Sequence, residues 1–219
     1  MRNYIRYVIY LLVFIGSSSV FSGSYEDFFI AIKQDDSRTV ESLLKRGFDP
    51  NARDPKGFHG LFLAVKEPSP KVAAVLVAWP KTDVEPRTAE DESPLMIVSL
   101  NGDLELARQL VRRGAHVNKP GWTALHYAAT NGHLAVISFL LEESAYIDAE
   151  APSGATPLMM AAHYGTPQSV KLLLDEGADP LLKDRRGLTA IDFANRANRV
   201  ESAELIATHV RNRQPRGKW

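Results

Sequence analysis

Histidine is the side chain that most often binds zinc or acts as a general base near neutral pH, and this chain has six histidines. A zinc site on one helix needs two histidines four residues apart, as in His-Glu-x-x-His, and the sequence contains no such pair. It also contains neither a glycine-rich phosphate loop followed by Lys-Ser or Lys-Thr nor a Gly-x-Ser-x-Gly elbow. The pattern therefore favours a protein with no catalytic site, no metal and no cofactor.

Charge and cysteine content exclude further classes. The 26 lysines and arginines balance 26 aspartates and glutamates, so net charge gives no reason to expect nucleic acid as a partner. The chain has no cysteine, which excludes disulfides, thiolate metal sites, a cysteine nucleophile and a lipid-bearing N-terminal cysteine. The hydrophobic fraction of 45% over 219 residues is enough for a sizeable core, and one continuous repeat array fits it better than two separate globules.

An internal repeat is the strongest signal in the sequence. Residues 121–153 begin with Gly-Trp-Thr-Ala-Leu-His-Tyr-Ala-Ala, and residues 154–186 begin with Gly-Ala-Thr-Pro-Leu-Met-Met-Ala-Ala. A glycine and a Leu-Leu pair follow at the same spacing in both copies, which gives a period of 33 residues. Such a period indicates stacked units of two helices each.

These recurring positions resemble the ankyrin-repeat family, and in particular a small exported bacterial member of it. The resemblance rests on Thr-Ala-Leu-His at 123–126, Thr-Pro-Leu-Met at 156–159, the paired alanines, the turn glycine and the late Leu-Leu. It implies an all-α solenoid of about six helix–turn–helix repeats with β-hairpin fingers between them. It also implies a protein–protein interaction module rather than an enzyme.

The repeat makes physical sense at its helix ends. Thr123 and Thr156 can cap a first helix, and Pro157 suits the first helical position, where a missing N–H costs nothing. Gly132 and Gly165 are expected to adopt the left-handed conformation that closes this helix.

The repeat register predicts six repeats. We expect His59 to stand where threonine caps the other repeats, and Pro68 to require a differently built turn, since proline cannot adopt positive φ. Asp35 and Asn198 take the place of the turn glycine in the first and last repeats. The repeats span about 24–56, 57–90, 91–120, 121–153, 154–186 and 187–210, with the outer two as caps and a basic tail over 211–219.

The N-terminal segment is of a different kind. Arg2 and Arg6 precede the apolar run 7–15, and small residues end the segment near Ser22, as in a secretory signal peptide over residues 1–22. An uncleaved membrane anchor or a core helix of the first repeat are the alternatives. The run is shorter than the roughly 20 apolar residues of a membrane-spanning helix, which favours cleavage near Gly23. The periplasm is the predicted location; a secreted or a membrane-anchored protein is the alternative.

The resemblance also indicates where a partner would bind. In this family the partner contacts the side formed by the finger tips and the first helices, and a large aromatic side chain there is typical of a binding hot spot. The alternative is that these aromatics pack against a neighbouring repeat. His126 and His133 are expected to have structural roles, and His163 is expected to be exposed. The predicted contact residues are Phe58, Trp122, Asn131, His163, Tyr164 and Leu188.

The predicted function is that of an exported accessory protein that stabilises or inhibits another periplasmic protein, either an enzyme or a toxin. The sequence names no partner, and no nucleic acid or metal is expected. Membrane contact is expected only if the N-terminal segment is retained. A membrane-tethered scaffold and a hydrolase with an unrecognised site are the alternative functions.

The N-terminal pattern predicts export. Expressed with its own N-terminus in a Gram-negative cell, the protein should be found in the soluble periplasmic fraction, with a mature end near Gly23. Fractionation followed by mass measurement of the intact protein checks this. Full-length protein in the membrane pellet would contradict it.

Overall fold

The computed structural model describes residues 23–67 and 69–213, so the predicted signal peptide and most of the basic tail lie outside the described residues. Within those two ranges the chain forms twelve α-helices, and its only β-structure is an isolated antiparallel bridge between Arg53 and His59. The predicted all-α ankyrin class is confirmed. The chain divides into two compact units, an N-terminal unit that ends at Pro86 and a C-terminal unit that begins at Arg87.

Short helices of seven to nine residues dominate both units. In the N-terminal unit, α1 spans 23–33, α2 Ser37–Lys45, α3 Gly60–Lys66 and α4 Pro70–Ala78. In the C-terminal unit, α5 spans Pro94–Asn101, α6 Leu104–Arg112, α7 Ala124–Asn131, α8 Leu134–Glu142, α9 Pro157–His163, α10 Pro167–Asp175, α11 Ala190–Arg196 and α12 Val200–Arg213.

The helices of the C-terminal unit form two layers. The first helices α5, α7, α9 and α11 pack side by side in sequence order, and the second helices α6, α8, α10 and α12 do the same. We call the former the first-helix layer. Three of its helices, α5, α7 and α9, bury most of their residues, among them Leu95, Leu125 and Leu158. A helix pair of this kind is stabilised mainly by its neighbours.

The cap predicted at Thr156 is present, whereas the hydroxyl of Thr123 makes a different contact. Thr156 accepts a hydrogen bond from the backbone N–H of Met159, and Pro157 is the first residue of α9. At the start of α7, the hydroxyl of Thr123 instead contacts the imidazole of His126, with 2.9 Å between Oγ1 and Nδ1. Gly132 ends α7 in the left-handed conformation.

The expected role of Gly165 is wrong. Its φ is not positive, and α9 ends at Tyr164 in the right-handed region. A Cβ atom on Gly165 would lie 2.5 Å from the carbonyl oxygen of Ala129 and 2.8 Å from that of Ala161. This glycine is therefore required because the backbone after α9 approaches α7 too closely for any side chain.

In the turn between α3 and α4 of the N-terminal unit, neither of the described residues Glu67 and Ser69 is left-handed. Glu67 is extended there, and the Ser69 hydroxyl donates to the carbonyl oxygen of Ile32 at 2.6 Å. Asp35 has a φ of +52°, as predicted, and its carboxylate accepts from the N–H of Val72. Pro68 lies outside the described residues.

Polar side chains connect the loops of successive repeats, which the sequence analysis did not predict. Asn51 and Asn118 each use their side-chain amide to bond backbone groups of the next loop, about 30 residues further on. Asp148 accepts from the N–H of Asp179 in the same way. Each of the three lies seven residues after the end of the Leu-Leu or Leu-Val pair of its repeat. In the fifth repeat this position is occupied by Leu181, which is exposed.

Burial predicts a gradient of stability within the C-terminal unit. Leu140 of α8 is completely buried, whereas Leu205 of α12 is half-buried. Leu140→Ala should lower the free energy of unfolding by about 2–5 kcal/mol, and Leu205→Ala by less, because its site is partly solvated. Denaturant melts of the two variants check this. Equal losses would contradict the gradient.

Candidate functional site

Three of the predicted contact residues lie at the C-terminal ends of neighbouring first helices. Asn131 is the last residue of α7, His163 is the last residue of α9, and Tyr164 follows it. The side chain of Asn131 is exposed and donates from Nδ2 to the carbonyl oxygen of Leu100 at 2.7 Å. The structure therefore places these residues on one end of the first-helix layer.

Tyr164 and His163 form the most exposed aromatic group of this layer. Tyr164 is 55% exposed, and its ring centroid lies 4.1 Å from that of His163 in an edge-to-face arrangement. His163 is half-buried rather than exposed, because its Nδ1 donates to the carbonyl oxygen of Phe193 at 3.2 Å. The guanidinium of Arg186 lies 5.5 Å from the Phe193 ring, and that of Arg199 donates to the carbonyl oxygen of Tyr164. We call these five residues the His163–Tyr164 patch.

Trp122 lies at the opposite end of the first-helix layer. It precedes α7, whose eight residues extend about 12 Å, and it is half-buried. Its ring packs edge-to-face against His126, with 5.2 Å between centroids, and against Tyr127 at 6.4 Å. The Lys119 ammonium donates to the Trp122 carbonyl oxygen at 3.0 Å. The indole is thus held by its own repeat and presents only part of its surface.

A polar network behind Trp122 was not predicted. The Lys119 side chain is 11% exposed, and its ammonium lies 2.5 Å from the carboxylate of Asp91. The Tyr127 hydroxyl donates to Glu92 at 2.9 Å, and burial together with this bond and the carboxylate charge raises the pKa of Tyr127. Asp91 has a φ of +63° and begins the third repeat, at the position where Gly121 and Gly154 begin the next two. An aspartate at this glycine position was the feature of the sequence that could have indicated the network.

The remaining two predicted contacts lie elsewhere. Phe58 belongs to the N-terminal unit, where its ring stacks on that of Phe62 with 5.8 Å between centroids. Leu188 belongs to the C-terminal unit and is half-buried, and its backbone N–H donates to the carboxylate of Asp184. The positions of the six predicted contact residues therefore do not define one shared cavity.

The structural roles expected for His126 and His133 are present. His126 is completely buried, its Nδ1 accepts from the Thr123 N–H at 3.2 Å, and its Nε2 donates to the carbonyl oxygen of Ala155 at 3.0 Å. This imidazole therefore connects the fourth repeat to the fifth. His133 bonds the carbonyl oxygen of Leu100 through Nε2.

Neither a metal site nor a membrane-spanning helix is present in the described residues. Across 23–67 and 69–213, no group of three or more His, Cys, Asp or Glu side chains is placed to hold a metal ion. In the described part of the chain, no helix has the length and the apolar character needed to cross a bilayer.

Two layers of paired short helices, repeated in sequence, define a stacked helical-repeat protein. The chain belongs to the ankyrin-repeat family: the family described as "Ankyrin repeats (3 copies)" matches residues 28–119 and 61–151, and "Ankyrin repeats (many copies)" matches residues 142–194. Ankyrin repeats are protein–protein interaction modules, and the fold is typically a non-catalytic scaffold.

Solved structures similar to this chain include two bacterial ones. One is a chain from the complex of the Bd0816 predatory endopeptidase of Bdellovibrio bacteriovorus with immunity protein Bd3460, with 28% identity and a TM-score of 0.71, covering 83% of this chain and 97% of that one. The other is an ankyrin repeat domain from Acinetobacter baumannii, with 27% identity and a TM-score of 0.71, covering 84% and 97%.

Among curated relatives, the mouse ankyrin repeat and SAM domain-containing protein 6 is 35% identical over 134 residues. The match covers 58% of this chain. It covers only 15% of that relative, so the likeness concerns the repeats and not the whole relative.

The buried imidazole of His126 predicts a dependence of stability on pH. Burial lowers the pKa of His126 from 6.5 to about 4, so the folded protein holds the neutral form, and this contribution is complete above pH 6.5. It is lost as the pH falls from 6.5 towards 4, because the unfolded chain then binds a proton that the folded chain does not. Between pH 7 and pH 4 the loss is about 3 kcal/mol.

The His126→Gln variant isolates this effect from the carboxylates, which titrate in both proteins. The variant should be less stable at pH 7, and the difference from the unaltered protein should shrink as the pH is lowered to 4. Urea unfolding at several pH values measures the difference. A difference that stays constant with pH would show that His126 does not carry the effect.

Proposed function

We propose that the protein is an exported, non-catalytic accessory protein that binds another protein of the same compartment and stabilises or inhibits it. The observation that carries the proposal is the exposed ring of Tyr164, supported from beneath by His163 on a rigid layer of helices. Export rests on the arginines and apolar run of residues 1–22.

The chemistry of the His163–Tyr164 patch suits a protein partner. A tyrosine ring offers apolar area at a small cost in side-chain entropy, and its hydroxyl can bond a polar group at the rim. The guanidinium of Arg199 lies beside Tyr164 and can meet carboxylates or carbonyl oxygens of the partner, whereas that of Arg186 lies over Phe193 and is paired with Asp184. Aromatic and arginine side chains together make up most interface hot spots.

The similarity to a chain of an endopeptidase–immunity protein complex supports this kind of function. The match covers 97% of that chain, so nearly the whole of one protein in that complex shares this arrangement of helices. By analogy, the partner proposed here is an exported enzyme or toxin. Asn131, Trp122 and Leu188 are proposed as further contacts on the same unit, and Phe58 as a contact on the N-terminal unit.

Tyr164→Ala tests the patch. The partner is first captured from a periplasmic extract on the immobilised protein and identified, and its affinity is then measured by calorimetry. The variant should bind about thirtyfold more weakly or worse, which corresponds to about 2 kcal/mol for a central aromatic contact. The free energy of unfolding should change by less than about 1 kcal/mol, because the ring is largely exposed.

Tyr146→Ala is the matched control. Tyr146 is 68% exposed and belongs to the loop after the second helix α8, outside the first-helix layer. The Tyr146→Ala variant should bind the partner with the affinity of the unaltered protein. A stable Tyr164→Ala protein that also binds at full strength would refute the proposed face.

A further inference from the structure

A cleft of about 410 Å³ opens in the N-terminal unit. It lies between α1, the turn at 54–58 and α3, and the side chains of Phe29 and Ile32 form part of its wall on α1. Phe58 and Leu63 form part of the wall opposite, and both are half-buried. Ile32 is completely buried and Phe29 is only 9% exposed, so the uncovered apolar surface of the cleft comes mainly from Phe58 and Leu63.

The aromatic walls of this cleft are held in place by other rings. Phe29 packs edge-to-face against Tyr25, with 5.0 Å between centroids, and against Phe28 at 5.2 Å. Phe58 stacks on Phe62 with an interplanar angle of 11°. A ligand would find these walls already formed, so little ordering entropy would be lost on binding.

Three lysines line the same cleft. The ammonium of Lys66 lies 5.1 Å from the centroid of Phe58, over the face of the ring. Lys33 and Lys56 are exposed, and in the described part of the chain neither forms an ion pair with a carboxylate within 4 Å. Their charges remain available to a ligand.

The two acids that line the cleft do not cancel these charges. Asp54 is used within its own turn, where Oδ1 accepts from the N–H of Lys56 at 2.9 Å and from the N–H of Phe58 at 2.8 Å. Glu67 is exposed and forms no ion pair with a described lysine. Asp54 keeps its charge when it accepts these bonds, so three ammonium groups stand against two carboxylates, and the lining of the cleft has a net charge of +1.

We infer that this cleft binds a peptide segment of a partner protein in which a large apolar side chain is flanked by aspartate or glutamate. The apolar side chain enters between Phe29 and Phe58 and is removed from water there. The flanking carboxylates meet the lysines at the rim, where charge complementarity sets the specificity. This site lies within the N-terminal unit and needs no residue of the His163–Tyr164 patch. It rests on the proposed function and deepens it, because Phe58 is the contact proposed there on this unit.

A defined peptide tests the site on the full-length mature protein. The probe is the hexapeptide Glu-Asp-Leu-Phe-Asp-Glu, acetylated and amidated, titrated into ¹⁵N-labelled protein while the backbone amide signals are followed by NMR. The amides of Lys56, Phe58 and Leu63 should shift, with a Kd on the order of 0.1–1 mM, as expected for a short peptide on a small site. The neutral analogue Gln-Asn-Leu-Phe-Asn-Gln should bind at least about tenfold more weakly.

Charge reversal provides the matched variants. The double variant Lys33→Glu and Lys56→Glu should weaken binding of the acidic peptide at least about tenfold, because both lysines line the cleft. Lys71→Glu reverses an exposed charge of the same unit outside the cleft and should leave the affinity unchanged.

Three results would each overturn the inference. They are an absence of shifts at millimolar peptide, equal affinity for the acidic and neutral peptides, and equal affinity of the double variant and the unaltered protein. Failure here is distinguishable from failure of the proposed function, because Tyr164→Ala should leave peptide binding unchanged.

Discussion

The structure depends on the close approach of first helices that cannot bury their apolar surface alone. The carbonyl oxygen of Ala129 lies so close to Gly165 that no Cβ fits between them, and small residues line this contact. Such packing brings the buried faces of consecutive repeats together at the packing density of a protein interior. The stability of each repeat therefore depends on its neighbour. Replacing one buried leucine of a central repeat therefore removes contacts with the repeats on both of its sides.

Close packing also creates buried polar groups that must be satisfied across repeats. His126 is completely buried and is satisfied by Thr123 on one side and by Ala155 of the next repeat on the other. Asn118 does the equivalent in the loops, where its side chain bonds both Ser144 and Tyr146. The bonds of His126 hold the fourth and fifth repeats together, because an unpaired buried polar group is costly. The bonds of Asn118 are exposed and add directional contacts between loops.

Function in such a fold follows from what the packing leaves uncovered. The C-terminal unit leaves Tyr164 exposed beside Arg199, whereas the N-terminal unit leaves a partly apolar cleft with lysines at its rim. Both surfaces combine aromatic area with positive charge, although the chain as a whole has a formal net charge of zero. A protein partner with an acidic and apolar contact surface would suit either of them.

The sequence alone determined the features that depend on neighbours along the chain. The period of 33 residues, Thr156 and Pro157 at a helix start, and the left-handed turn at Gly132 all follow from local chemistry. The tertiary structure alone decided that Gly165 serves close approach and that Trp122 is half-buried. It also decided the bond from Tyr127 to Glu92 and the shape of the cleft in the N-terminal unit. The close approach at Gly165, the bond from Tyr127 and the cleft each join residues about 25 to 36 positions apart. Which side chains meet at that separation is set by how the repeats stack, which the period does not specify.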